Sequence, residues 1–361
     1  MEIYACGLNN HKQLTLSTDS QDITSFLKIA KGQRLRILCG IWSAIIIEVD
    51  EQLLYQGYYQ SGPKQCNISY SKAIKSIFGD IEGIQGALTT DGNFYELIPN
   101  DPCSDPLRFQ RSQRNWYRDQ ELRLEHIAIA GNGQVAIVAH ARSSPTSTAK
   151  SLYMFSSMNS FKASTHSDFT IATTSLPVIN YLGSTATSFI ALDSDGNVLS
   201  WGSALHPNLL GRHPTIDAPA EYPHPVPFLQ GTPIRKIAAG GWICTALSRD
   251  DDLYIWGGQP GNMSARIDAL PDWQAGEDVK LVDIDGGVNI LDAAVGDGHV
   301  LVLTERRDVW VTGQGREGQL GLNNVNIDFE QSWKRSGEWS NLQVLSVEAS
   351  GWNSFVIVNT K

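Results

Sequence analysis

The sharpest chemistry-bearing pattern in the chain is Gly313, Gly315 and Gly318, a literal GxGxxG. A dinucleotide site needs that spacing between a strand and a helix, so that the helix N-terminus faces the pyrophosphate. Residues Gln319 to Asn324 carry no helix signal, so these glycines read as turn residues. Asp193, Asp195 and Asn197 begin like a calcium loop, but the sixth position is not glycine and the twelfth, Ala204, is not a carboxylate. A hairpin turn is expected there. His206, His213 and His224 share one loop at spacings wider than zinc pairs use. Cys6, Cys39, Cys66, Cys103 and Cys244 are scattered with no CxxC, so neither a disulfide framework nor a thiolate metal site is indicated. No serine elbow, activated Cys–His pair or paired carboxylates can be read from spacing. The chain therefore offers no catalytic residue, cofactor or metal, and the expectation is a protein that is not an enzyme.

What remains is recognition chemistry. Trp42 and Trp242 each follow a glycine by two residues, and Trp352 follows one directly. Tryptophan buries a large area at low entropic cost and is enriched in binding hot spots, so the three are candidate anchors for a protein partner. The alternative is that each packs against its own sheet. Arg108, Arg111, Arg114 and Arg118 surround Trp116 and Tyr117 and form the clearest basic cluster in an acidic chain. At helical spacing Arg111, Arg114 and Arg118 share a face, either solvated or docking an acidic partner or RNA phosphate. Trp201 and Trp256 lie inside apolar runs and read as core.

The elements that must position these residues are organised around Ile234 to Gly258. Three short apolar runs there are separated by Gly240 and by the polar cluster Ser248–Asp252, and end at Gly257 and Gly258. Runs this short suit strands, and the glycines and aspartates mark reversals. The unit recurs, with first-run glycines at Gly40, Gly79, Gly131, Gly183, Gly240, Gly296 and Gly351 and third-run glycines at Gly57, Gly202, Gly257 and Gly313. A period of about 50 residues with three or four strands per unit predicts an all-β, seven-bladed β-propeller. The chain opens on a third run, Ile3 to Gly7, and closes on a first and second run, Val344 to Val358. Pairing residues 1–16 with 342–361 completes the last blade, closes the ring and removes exposed edges, making 1–361 one domain.

Ile237 to Gly240, Thr245 to Leu247 and Asp252 to Gly257 resemble the repeat of the regulator of chromosome condensation family. So does Trp310 to Leu322, with its Gly318–Gln319–Leu320–Gly321 tail, and Cys6 to Leu14 is a worn copy. The family's histidine three residues after the first-run glycine survives only as His299, after Gly296. The resemblance covers nearly the whole chain and implies a platform that binds another protein. Short one-propeller members are most similar to the fungal alpha-tubulin suppressor (killer-toxin insensitivity) proteins. That similarity implies partnership with the small zinc-binding protein of diphthamide synthesis and a role in Elongator-linked tRNA wobble-uridine modification. Two rival readings come from the same resemblance. One is guanine-nucleotide exchange on a Ran-like GTPase, although Ser156 to Phe169 does not resemble the founder's hairpin wedge. The other is a chromatin-linked adaptor of a histone demethylase, suggested by the Gly–Trp turns at Trp242 and Trp352.

Composition bounds these readings. A formal net charge of −10 argues against whole-surface attraction to nucleic acid, so no direct DNA binding is expected. No segment has the length and apolarity of a membrane span, and Met1 to Asn10 lacks a secretory pattern. The expectation is a monomeric, reduced protein of the cytoplasm and possibly the nucleus. Pro99–Glu121 reads as an insertion, Pro207–Pro227 as an extended surface loop, and Gln259–Gly287 and Asn323–Asn341 as long loops.

Overall fold

The computed structural model describes residues 1–17, 22–59, 62–70, 73–80, 82–99, 107–112, 121–142, 150–163, 169–259, 266–324 and 327–360. Two compact units divide the chain: Met1–Ile68 with Ala238–Lys361, and Ser69–Ile237. Nearly all regular structure is antiparallel strand. The first unit opens with β1 (Glu2–Leu8), β2 (Asp22–Lys31), β3 (Leu35–Gly40), β4 (Ala44–Val49), β5 (Gln52–Tyr59) and β6 (Gly62–Ser69). The second unit holds β7 (Ile74–Asp80), β8 (Gly83–Thr89), β9 (Phe94–Pro99), β10 (Leu107–Arg111), β11 (Leu122–Ile129), β12 (Val135–Ala141), β13 (Lys150–Phe155) and β14 (Phe169–Leu176). It continues with β15 (Ile179–Ser184), β16 (Ser188–Asp193), β17 (Val198–Gly202) and β18 (His224–Pro225). After β19 (Ile234–Gly240) the first unit resumes with β20 (Ile243–Ser248), β21 (Leu253–Gly257), β22 (Lys280–Leu281), β23 (Ile290–Val295) and β24 (His299–Thr304). Its last strands are β25 (Val309–Gln314), β26 (Phe329–Ser336), β27 (Gln343–Ser350) and β28 (Asn353–Asn359).

Consecutive strands pair as meanders of four, such as β15-β16-β17-β18 and β23-β24-β25-β26. Another sheet joins the two ends of the chain, in the order β2-β1-β28-β27. There Ile3 faces Ile357 and Ala5 faces Phe355 across antiparallel strands. The expected pairing of N-terminal with C-terminal strands is therefore present. The outermost strand of that sheet is β2, which lies beyond the residue-16 boundary read from the sequence.

The second strand of a meander is apolar on both faces. All six residues of β16 and all six of β24 are buried. An uninterrupted apolar run is what a strand covered on both sides requires. The cores lie between successive sheets: Leu301, Leu303, Val309 and Val311 pack with Val344, Val347, Val356 and Val358. In the second unit Val135 and Ile137 pack with Phe78, Leu88 and Phe94. Trp201 and Trp256 are fully buried, as expected of core residues.

Four stretches expected as loops or insertions contain structure, among them Gln259–Gly287, which carries β22 paired with β21. The Pro99–Glu121 insertion carries β10, which pairs with β9 from Leu107 opposite Pro99 to Arg111 opposite Tyr95. Asn323–Asn341 carries β26, paired with β25. Pro207–Pro227 is not a free surface loop: Leu209 and Leu210 are buried in a 3-10 turn, and Arg212 is 2% exposed. Fourth strands escape notice in the sequence because they mix polar and apolar residues, as in Phe329–Ser336, and follow long connections.

Candidate interaction surface

Four tight turns link the first and second strands of sheets in the first unit. Each is locked by a bond from just beyond the end of the glycine-marked third run. Tyr58 N–H donates to Ser43 O (2.8 Å), Gly258 to Trp242 O (2.7 Å), Gln314 to Gly298 O (2.8 Å) and Leu8 to Trp352 O (3.1 Å). The residue before each donor is glycine. Gly57, Gly257, Gly313 and Gly7 have φ of 143°, 108°, 104° and 120°. A Cβ at those four positions would lie 2.3, 2.4, 2.3 and 2.2 Å from the carbonyl oxygen that the next residue bonds. The repeat's third-run glycine is thus a packing requirement: no side chain fits where the third strand crosses that carbonyl.

The same lock aligns the turns. Ser43, Trp242, Gly298 and Trp352 occupy one structural position, so Trp242 and Trp352 are equivalent and Trp42 sits one residue earlier. Counting from the first-run glycines pairs Trp42 with Trp242 instead, because the turns differ in length.

The turns also sit side by side. Asp297 N–H donates to Gly351 O at 2.7 Å. A Cβ on Gly241 would lie 2.3 Å from Asp297 Oδ1, and one on Gly351 would lie 3.4 Å from the carbonyl carbon of Ile41 and 3.5 Å from Trp42 N. The row therefore runs from the Trp242 turn through Asp297 and the Trp352 turn to the Trp42 turn. Burial pushes the Asp297 carboxyl above the usual carboxylate range, and a hydrogen bond from Trp352 opposes that rise. Trp242 and Trp352 are half-buried.

At the end of the row Trp42 is 37% and Tyr58 42% exposed. His11 stands edge-on to Trp42, with centroids 4.6 Å apart, and edge-on to Tyr58 at 5.5 Å. Burial lowers the His11 pKa below the ordinary histidine value. Gln13 holds the trio in place: its Nε2 donates to Trp42 O (3.0 Å) and its Oε1 accepts from His11 N–H (3.0 Å). Gln319, its counterpart in the other Gly–Gln–Leu–Gly-like segment, accepts from Glu317 N–H at 2.9 Å in the same way. His11 and Tyr58 were not singled out in the sequence. Their only signal was proximity to repeat turns, which points to a backbone position and not to an aromatic neighbour.

His299 Nε2 lies 2.9 Å from Ser354 Oγ, the separation of a nucleophile and its base. The hydroxyl proton, however, is directed to Gln319 O at 2.6 Å, so the ring N–H donates to the serine. Both side chains are fully buried. Burial lowers the His299 pKa to about 4. The pair fastens the Gln319 segment to β28. The expected calcium-like turn is likewise a backbone cap: Asp193 Oδ1 accepts from Asp195 and Asn197 N–H at 2.9 and 2.8 Å.

The arginine cluster needs correction. Arg108 and Arg111 lie on β10, so a helical face shared by Arg111, Arg114 and Arg118 does not form from Arg111. Three residues apart on a strand, Arg108 and Arg111 point to opposite faces. Arg108 donates to Gln110 Oε1 (2.9 Å) and Arg111 to Asn93 Oδ1 (2.6 Å). Arg114 and Arg118 lie outside the described residues.

The repeated meanders and their glycine locks define a β-propeller like those of RCC-repeat proteins, and the chain is similar to proteins of that repeat family. Its relatives carry the same label. The chain is 29% identical over 206 residues to RCC1 domain-containing protein 1 of Homo sapiens, covering 46% of this chain and 53% of that protein. It is 33% identical over 138 residues to human E3 ubiquitin-protein ligase HERC2, covering 37% of this chain and 3% of that protein. The chain thus spans about half the length of the first of these relatives and far less of the second. No family model matches it. Among solved structures, Prp20p of Saccharomyces cerevisiae superposes with a TM-score of 0.69 at 14% identity, covering 100% of this chain and 92% of that one. Human WBSCR16 superposes with a TM-score of 0.61 at 12% identity, covering 99% of both chains. At these identities the superpositions establish the fold. No helix among the described residues is long and apolar enough to cross a membrane.

Proposed function

We propose that the chain is a non-enzymatic protein-interaction platform whose partner is anchored on Trp42, with His11 and Tyr58 beside it and the Trp352 turn adjoining. The observation that carries this is an aromatic trio, with Trp42 and Tyr58 exposed and His11 edge-on to both, at a turn whose backbone is fixed by Gln13 and by the Gly57 lock. Rigid, partly exposed aromatics contribute contact area with little ordering cost on binding. The structural neighbour Prp20p is described with its binding to Gsp1p and histones, which is in keeping with a platform role.

Nucleotide exchange on a Ran-like GTPase is the rival. The region matching the exchange wedge includes a short helix, Met158–Ala163, with Met158 and Phe161 buried. Its side chains are used in packing, which favours the platform reading. Partnership with the small zinc-binding protein of diphthamide synthesis and a place in wobble-uridine modification remain the narrower form of the proposal. They rest on the sequence resemblance alone, as does a cytoplasmic or nuclear location. The histone-demethylase adaptor rests on the Gly–Trp turns, which the shared position of Trp242 and Trp352 makes one motif.

Exchange is tested by mixing the protein with a Ran-like GTPase carrying fluorescent GDP. The platform reading expects release at the uncatalysed rate, whereas marked acceleration at catalytic concentrations would establish the rival.

A further inference from the structure

A pocket of about 360 Å³ in the second unit is lined by Thr90, Asp91, Arg123, His140 and Arg142. Its parts are set by the sheets. Thr90 and Asp91 belong to the turn between β8 and β9. Arg123 on β11 pairs across the ladder with His140 on β12, and Arg142 follows the end of β12. The turn and β11 meet closely because Gly92 has φ 75°, and a Cβ there would sit 2.3 Å from Arg123 Cγ and 2.9 Å from Leu124 O.

The arginines are held by neutral groups. Arg123 donates to Thr90 O at 2.7 Å. Arg142 donates from Nε to Leu122 O at 2.9 Å and from its terminal nitrogen to Asn93 Oδ1 at 3.2 Å. Arg111 reaches the same Asn93 oxygen at 2.6 Å. No carboxylate among the described residues forms an ion pair with Arg111, Arg123 or Arg142. The nearby Glu125 is already occupied: Lys150 Nζ lies 2.7 Å from its carboxylate, His140 Nδ1 lies 2.9 Å from it, and Lys75 donates to its backbone carbonyl at 2.6 Å. Among the described residues named here, five cations (Arg111, Arg123, Arg142, Lys75 and Lys150) thus stand beside two carboxylates, Glu125 and Asp91, in a chain of net charge −10. A guanidinium has five N–H donors in a fixed fork, so fixing one or two of them on the protein orients the rest without satisfying them.

We propose that this pocket binds a phosphate monoester, gripped by the forks of Arg123 and Arg142. A dianion matches two guanidiniums, while a carboxylate balances one. The volume also admits the group that carries the phosphate. Asp91 sits in the same wall, with Oδ1 accepting from Thr89 Oγ1 at 2.5 Å, and its charge limits affinity.

Calorimetric titration of the full chain at fixed ionic strength tests this, with O-phosphoserine and ribose 5-phosphate as probes and aspartate as the carboxylate control. Saturable binding of either phosphate is expected. The tighter of the two identifies a peptide or a nucleotide as the source. Arg123→Gln and Arg142→Gln should each weaken it about tenfold, Arg142→Lys less. Asp91→Asn keeps the acceptor for Thr89 and should tighten binding about threefold or more; it carries the test alone if the arginine variants do not fold. Absence of saturable phosphate binding, aspartate binding as tight as phosphate, or affinity unchanged by Asp91→Asn would overturn the assignment.

Discussion

At the scale of single residues, the glycine that ends each third strand is the most constrained position of the repeat. Gly257→Ala would place Cβ 2.4 Å from Trp242 O in a left-handed backbone conformation. We expect a loss of about 3 kcal/mol, read as a shift in the denaturant midpoint. Gly276→Ala is the control: it shares a positive φ but has open space around its Cβ, so it should cost about 1 kcal/mol. Histidine burial gives a second expectation. The pKa of His299 falls to about 4 and that of His126 to about 4, both mainly through desolvation. The unfolded chain takes up these protons near the ordinary histidine pKa of about 6.5, and the native chain does not until about pH 4. Stability is therefore lost as pH falls from about 6.5 to about 4, by on the order of 3 kcal/mol for His299. His299→Gln should lessen the loss of urea-melt stability across that window, with the His126 share remaining. An unchanged slope would show that the ring is not held neutral.

At the scale of elements, the sequence reveals strands by their apolar runs and turns by their glycines and aspartates. It therefore displays the first three strands of most repeats. The fourth strands stayed hidden: β10 reads Leu107–Arg111 with two arginines and a glutamine, and β18 is a two-residue bridge. For the same reason the Pro207–Pro227 segment reads as a loop, although a buried arginine organises it. Arg212 donates to Ala218 O (2.7 Å), Pro219 O (3.0 Å) and Tyr222 O (3.2 Å), and also to Ser200. Nothing in the spacing marks one arginine in a loop as buried. Arg212→Ala would leave those carbonyls without a donor and should cost about 3 kcal/mol. Limited proteolysis should then cut within residues 212–227, where the wild type resists. The candidate surface was half legible. Trp42, Trp242 and Trp352 were recognisable as turn tryptophans, but their alignment depends on backbone bonds that do not show in residue spacing.

At the scale of the whole molecule, the central structural expectation is a closed ring of seven blades joined through the chain ends. The β2-β1-β28-β27 sheet pairs strands from the two ends of the chain. Deleting Met1–Leu16 removes β1, strips β28 of its neighbour and isolates β2. Exposing that edge should consume a large part of the ~5–15 kcal/mol that holds a domain folded and should promote association. A monomeric truncation with an unchanged melting temperature would contradict the join. The functional account rests on one surface, so its most direct test compares variants of equal foldedness. Trp42→Ala and the surface control Arg111→Glu are each used, beside the wild type, to capture interacting proteins quantitatively, with melting curves recorded for all three. The account predicts that Trp42→Ala melts within a few degrees of the wild type and weakens capture of the specific partner by about 2 kcal/mol or more, while Arg111→Glu retains it. Full capture by a well-folded Trp42→Ala protein, or loss confined to Arg111→Glu, would contradict it.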